Sequence, residues 1–93
     1  MKVRVHVFIT GKVQGVFYRV KTRSEAKKRN VVGWVRNLPD GRVEAVFEGK
    51  KEDVDKLIDY CRKGPQGAYV TKIDVYPEEK TYKFNNFEIR RTA

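Results

Sequence analysis

The sequence predicts an α+β protein, a two-layer sandwich in which two helices cover one face of an antiparallel sheet. Three observations predict it. Apolar and polar residues alternate in several separate stretches, the period of a half-buried strand. Two other stretches repeat their apolar residues at helical spacing, each with a single buried stripe. The order of these stretches is β-α-β-β-α-β, with a short strand added at the end.

In the first strand Val3, Val5, Val7 and Ile9 alternate with Arg4, His6, Phe8 and Thr10, and the pattern stops at Gly11. The segment from about Arg19 to Asn30 lacks β-branched density and carries good helix formers, with Tyr18, Thr22 and Ala26 as a thin stripe. Val31 to Asn37 and Gly41 to Gly49 are strands joined through Pro39-Asp40-Gly41. That order makes a turn, because Pro presets φ, Asp bonds to nearby backbone and Gly takes dihedrals that other residues avoid. Val43, Ala45 and Phe47 share one face of the second strand of this hairpin.

The second helix has the stronger signal. Val54, Leu57, Ile58 and Cys61 lie on one face, Glu52 and Asp53 complement its positive end, and Arg62 and Lys63 its negative end. Gly64-Pro65 stops it. Tyr69 to Tyr76 is a strand with Thr71, Ile73 and Val75 on one side. PEEKTYKFN reads as a polar connection, and NFEIRR as a last strand with Phe87 and Ile89 inward. Two helices with one stripe each leave the other sheet face uncovered, which is the ferredoxin-like arrangement.

Composition bounds the rest. Residues 1–93 make one domain, with eleven aromatic side chains to fill a core. A net charge of +9 favours anionic ligands, nucleic acid or a phosphorylated metabolite among them. The same charged surface also suits a protein adapted to heat. No apolar run approaches the roughly 20 residues that span a bilayer, and MKVRVHVFIT lacks the apolar block of a signal peptide. The lone Cys61 excludes an internal disulfide, so a reduced, cytoplasmic setting is expected, with the thiol packed as a small hydrophobe. No His/Cys/Asp cluster has metal-ligand spacing, so no metal is expected. His6, away from the valine face, is expected to be a solvent-facing sheet residue.

The stretch GKVQGVFYR, Gly11 to Arg19, must turn a strand into a helix within a few residues. Gly15 permits positive φ, so successive N–H groups can point into one concavity, and the helix start adds unpaired N–H groups of its own. Arg19 adds a planar fork that matches two phosphate oxygens. Spacing alone leaves a second reading standing, in which the glycines make a tight turn and Arg19 is merely solvated. Asn37 ends a strand that should run parallel to the first, which brings it to the same sheet edge. It, too, could do no more than bond to backbone at its turn.

ITGKVQGVFYR together with GWVRNLPDGRVEAVFEG resembles the two signature regions of the acylphosphatases. The first matches at Ile9, Gly11, Val13, Gln14, Gly15, Val16 and Arg19, the second at Gly33, Trp34, Val35, Asn37, Gly41, Val43 and Gly49. The resemblance implies hydrolysis of acyl phosphates to a carboxylate and phosphate, without cofactor, metal or phosphoenzyme. It implies that Arg19 and the N–H groups of Gln14, Gly15, Val16, Phe17 and Tyr18 hold the phosphoryl oxygens, and that Asn37 positions the attacking water. It leads one to expect Phe or Met in place of Tyr18, whose hydroxyl therefore needs a partner. A monomer with no nucleic-acid or membrane partner is expected.

The rival reading is a small basic RNA-binding module of the same fold, which would stack bases on aromatic residues of the open sheet face. Phe8 could serve there, but Arg42, Glu44, Val46 and Glu48 offer no aromatic ring and two carboxylates.

Overall fold

The computed structural model describes residues 1–79 and 84–93. Its elements are β1 (Lys2–Lys12), α1 (Tyr18–Lys28), β2 (Val32–Asn37), β3 (Val43–Lys50), α2 (Lys51–Lys63), β4 (Tyr69–Pro77) and β5 (Phe87–Ile89). They form one sheet in the order β4-β1-β3-β2-β5. β3 pairs antiparallel with both β1 and β2, so β1 and β2 run in the same direction and end at the same edge. The sheet is not wholly antiparallel, as β5 pairs parallel with β2. The cause is topological. β4 runs opposite to β1 and hence to β2, so it ends at the edge where β2 starts, and a chain returning from there enters β5 alongside β2.

Both helices cover one face. Val7, Ile9, Val35, Val43, Ala45 and Phe47 point into that layer and meet Tyr18 and Ala26 of α1 and Val54, Leu57 and Cys61 of α2. Both expected helical stripes are buried. α2 ends as its sequence requires, with Gly64 at φ 72° and its N–H donating to the Tyr60 carbonyl at 2.7 Å. The β2–β3 turn is closed by Leu38 N–H to the Arg42 carbonyl at 2.8 Å and by Arg42 N–H to Asp40 Oδ1 at 3.1 Å.

Two strand expectations need correction. β1 continues past Gly11 to Lys12, and its register against β4 shifts between Thr10 and Gly11. This bulge skips Thr71, so Val70 joins Ile73 and Val75 against the core while Thr71 is exposed and donates its hydroxyl to the Thr10 carbonyl at 3.2 Å. Of the expected polar connection, Pro77 belongs to β4, and residues 80–83 lie outside the described residues.

The open face carries an ion-pair lattice. Arg4, buried, holds Glu48 at 2.6 Å. His6 is not simply solvent-facing: its Nε2 meets Glu44 at 2.7 Å, its Nδ1 meets Glu78 at 3.3 Å, and its ring stacks on Phe8. Arg36 pairs with Glu44 at 2.7 Å. Burial opposes ionisation of Glu44, but the Arg36 and His6 hydrogen bonds hold its pKa below the usual range. The contacts of Glu44 therefore stabilise the fold above the ordinary carboxylate range, and that contribution is lost on acidification. No helix among the described residues is long and apolar enough to cross a membrane.

Candidate active site

The loop between β1 and α1 bends through two left-handed residues. Gly15 has φ 76°, which glycine takes freely, whereas Phe17 has φ 61° and ψ 23°, which costs any side-chain-bearing residue about 1–2 kcal/mol. Such strain is retained where the backbone direction matters. α1 then begins without a side-chain cap and without an acidic residue in its first turn. Its first internal bond is Lys21 N–H to the Phe17 carbonyl at 3.0 Å. Among the described residues, no N–H from Gln14 to Val20 donates to a protein acceptor. These donors, with the positive end of the helix behind them, form an anion cup. The cup opens on a cavity of about 210 Å³ lined by Gln14, Gly15, Phe17, Tyr18 and Arg19 among others. Arg19 is half-buried in the first helical turn and makes no ion pair or hydrogen bond among the described residues.

Two side chains hold the loop in place. Gln14, expected among the substrate-binding residues, donates its side-chain amide to the Leu38 carbonyl at 2.8 Å and the Arg42 carbonyl at 2.9 Å. It ties the loop to the hairpin that carries Asn37, so what it offers the cup is its N–H alone. Tyr18 turns its ring into the core and donates its hydroxyl to the Cys61 carbonyl at 2.6 Å. That carbonyl would otherwise lack a donor, since the residue four positions on is Pro65, which has no N–H. Burial, with the neighbouring Cys61 adding to it, pushes the Tyr18 pKa far up, so the hydroxyl remains a neutral donor. Burial likewise pushes the Cys61 thiol up to about 12. Tyr18→Phe is expected to destabilise the protein by about 1–3 kcal/mol, the cost of a buried acceptor left unsatisfied. A denaturant midpoint equal to that of the parent would contradict this bond.

Asn37 closes β2. It pairs with Val43 of β3, which on its other side pairs with Ile9 of β1. Directly opposed residues share a face, so Asn37 lies on the helix-facing side, in line with Ile9 and two strand spacings, or about 10 Å, from it. α1 packs over β2 and starts at this same edge. The Asn37 Oδ1 is buried and has no hydrogen-bond partner among the described residues. Its main-chain carbonyl accepts from Ala93 N–H at 3.2 Å. The turn beside it is closed by other groups, so the reading of Asn37 as a backbone-bonding turn residue does not account for this oxygen.

The structure thus brings the cup, Arg19 and Asn37 to one edge. Val16 and Phe17, like Tyr18, contribute main-chain donors there; the Val16 side chain packs against the core and that of Phe17 is 75% exposed. The sequence reading missed the holding contacts of Gln14 and Tyr18, which join residues 24 to 43 positions apart and leave no trace in local spacing. It also missed Trp34 on the open face, whose ring lies beneath the guanidinium groups of Arg36 and Arg90, at 5.1 and 4.7 Å.

Fold and site together define a small α+β sandwich with uncapped main-chain donors at one strand-to-helix loop. The acylphosphatase family profile matches residues 5–89. A relative named acylphosphatase from Syntrophus aciditrophicus is 56% identical over 89 residues, covering 96% of this chain and 93% of its own. Another, from Chloroflexus aurantiacus, is 55% identical over 87 residues, 94% of this chain and 95% of its own. The crystal structure of acylphosphatase from Bacillus subtilis superposes with a TM-score of 0.91 at 32% identity, covering 97% and 99% of the two chains. The chain belongs to the acylphosphatase family.

Proposed function

We propose that this site carries out acyl phosphate hydrolysis with Arg19 and the N–H groups of residues 14–19 on the phosphoryl oxygens and Asn37 on the attacking water. One observation supports this most: at one sheet edge lie an uncapped set of N–H donors, a guanidinium and a buried amide oxygen, the last two without a partner among the described residues.

The chemistry asks little more of the protein. Water attacks phosphorus, the P–O bond to the acyl oxygen breaks, and its electron pair leaves on a carboxylate. The conjugate acid of that leaving group has a pKa of about 4, so it departs without a proton. The transition state is loose, with charge spread over the phosphoryl oxygens, and stabilising that charge and aligning the nucleophile are the main tasks. The second proton of the water passes to a phosphoryl oxygen of the substrate, giving dihydrogen phosphate, and no protein base is involved. On this reading the enzyme works as a cytoplasmic monomer without nucleic acid. The open sheet face fits that view, as its Glu44 and Glu48 carboxylates are held by Arg36, His6 and Arg4.

The test compares leaving groups. Benzoyl phosphate should be hydrolysed rapidly, with equal release of benzoate and phosphate. Phenyl phosphate, whose phenolate leaving group has a conjugate acid of pKa about 10, should be essentially inert, because nothing in the site protonates it. Comparable rates on the two would require a general acid and overturn the mechanism.

A further inference from the structure

A second cavity, of about 420 Å³, adjoins the cup and shares Phe17 with it. Its near end is formed by Val16 and Phe17, one wall by the outer side of α1, and the other by Tyr60, Pro65 and Gln66 from the end of α2 and beyond. Nothing in the phosphoryl chemistry above uses it.

In-line displacement decides what can occupy it. The nucleophile and the leaving group lie on opposite sides of phosphorus. At about 100° per residue, Arg19 falls on one side of the buried Tyr18–Thr22–Ala26 stripe and Lys21 on the other. The Lys21 flank faces the Tyr60–Pro65 wall of the groove. Asn37 lies in the sheet beneath the start of α1, whereas the groove is on the outer surface of the helix layer. Water held at Asn37 therefore directs the acyl group out of the cup towards the groove.

The charges of the groove then state what the acyl group should carry. Its floor near the cup is apolar, with Val16 and the exposed ring of Phe17. Lys21 stands one helical turn further on and has no ion-pair partner among the described residues. Glu25, the one carboxylate in the lining, is already held at 3.4 Å by both Lys28 and Arg29. Among the described residues an unpaired cation thus lies beyond an apolar patch, and the one carboxylate of the lining is already engaged.

We propose that this groove is the acyl subsite and that Lys21 selects acyl phosphates whose acyl group ends in a distal carboxylate. The inference rests on the assignment of the cup and of Asn37 given above. It adds a specificity-determining residue to them and leaves their roles unchanged.

The experiment measures kcat and KM on a matched pair, 4-carboxybenzoyl phosphate and 4-methylbenzoyl phosphate, which differ in the distal group and cannot cyclise. The parent enzyme is expected to favour the carboxylated member. Lys21→Met should raise KM for that member by about three- to tenfold, the range of a solvent-accessible charged contact, with kcat little changed. The methyl member should respond much less, and Lys21→Arg should restore the preference. Equal effects on both members, or none on either, would overturn the acyl subsite while leaving the hydrolytic assignment intact. Failure of the parent enzyme to hydrolyse either member would overturn both.

Discussion

Arg19→Ala is expected to lower kcat/KM for benzoyl phosphate by at least about 10³-fold, and Arg19→Lys to recover little of it. Removing a single neutral donor from a preorganised oxyanion site costs about 10²–10³ in rate. Arg19 is a charged, bidentate donor facing a group whose negative charge is dispersed in the transition state, so its loss falls at or above the upper end of that range. Lysine keeps the charge but not the planar fork, and its compact ammonium cannot bridge two oxygens at once. Arg19 makes no ion pair within the described residues, so its removal orphans no buried partner and the fold should survive. The check is steady-state kinetics beside a denaturant midpoint. A fully active Arg19→Lys enzyme would show that net charge alone suffices and that the fork geometry is irrelevant.

Asn37→Ala separates binding from turnover. If its amide orients water and does not hold phosphate, kcat should fall by about 10²-fold or more while competitive inhibition by inorganic phosphate stays near that of the parent. Stability should change little, because Oδ1 has no hydrogen-bond partner among the described residues that the substitution could leave unsatisfied. Weakened phosphate inhibition with preserved turnover would reverse the roles assigned to Asn37 and the cup.

The positions of the candidate site's parts were legible in the chain, while their roles came from the family resemblance, since spacing alone left a plain turn and a solvated Arg19 equally open. Gly15 announces a left-handed bend, Arg19 follows within one turn, and the parallel course of β1 and β2 requires Asn37 at the same edge. The residues that hold those parts in position were not legible. Gln14 could be read only as a member of the loop, since its acceptors, the carbonyls of Leu38 and Arg42, belong to a turn that sequence spacing does not connect to it. The partner of Tyr18 is set by Pro65, which frees the Cys61 carbonyl four residues earlier, and only packing brings the two together.

The fold followed the same division. Alternation and helical spacing located every element, because burial on one face imposes a period on each segment alone. The exchange of Thr71 for Val70 escaped that logic. It arises from a bulge in β4, where Thr71 is left without a partner between Val70 and Lys72 while Thr10 and Gly11 of β1 are consecutive, and strict alternation assumes no such extra residue. His6 was misplaced for a related reason. The period assigned it correctly to the open face, but its partners Glu44 and Glu78 arrive from β3 and from the residue following β4.

The most direct test of the account is a crystal structure with inorganic phosphate bound. The account predicts phosphate oxygens within hydrogen-bond distance of the main-chain N–H groups between Gln14 and Arg19, a two-pronged contact from the Arg19 guanidinium, and an ordered water between Asn37 and phosphorus. Phosphate bound elsewhere, with the cup unengaged and Arg19 turned to solvent, would contradict it.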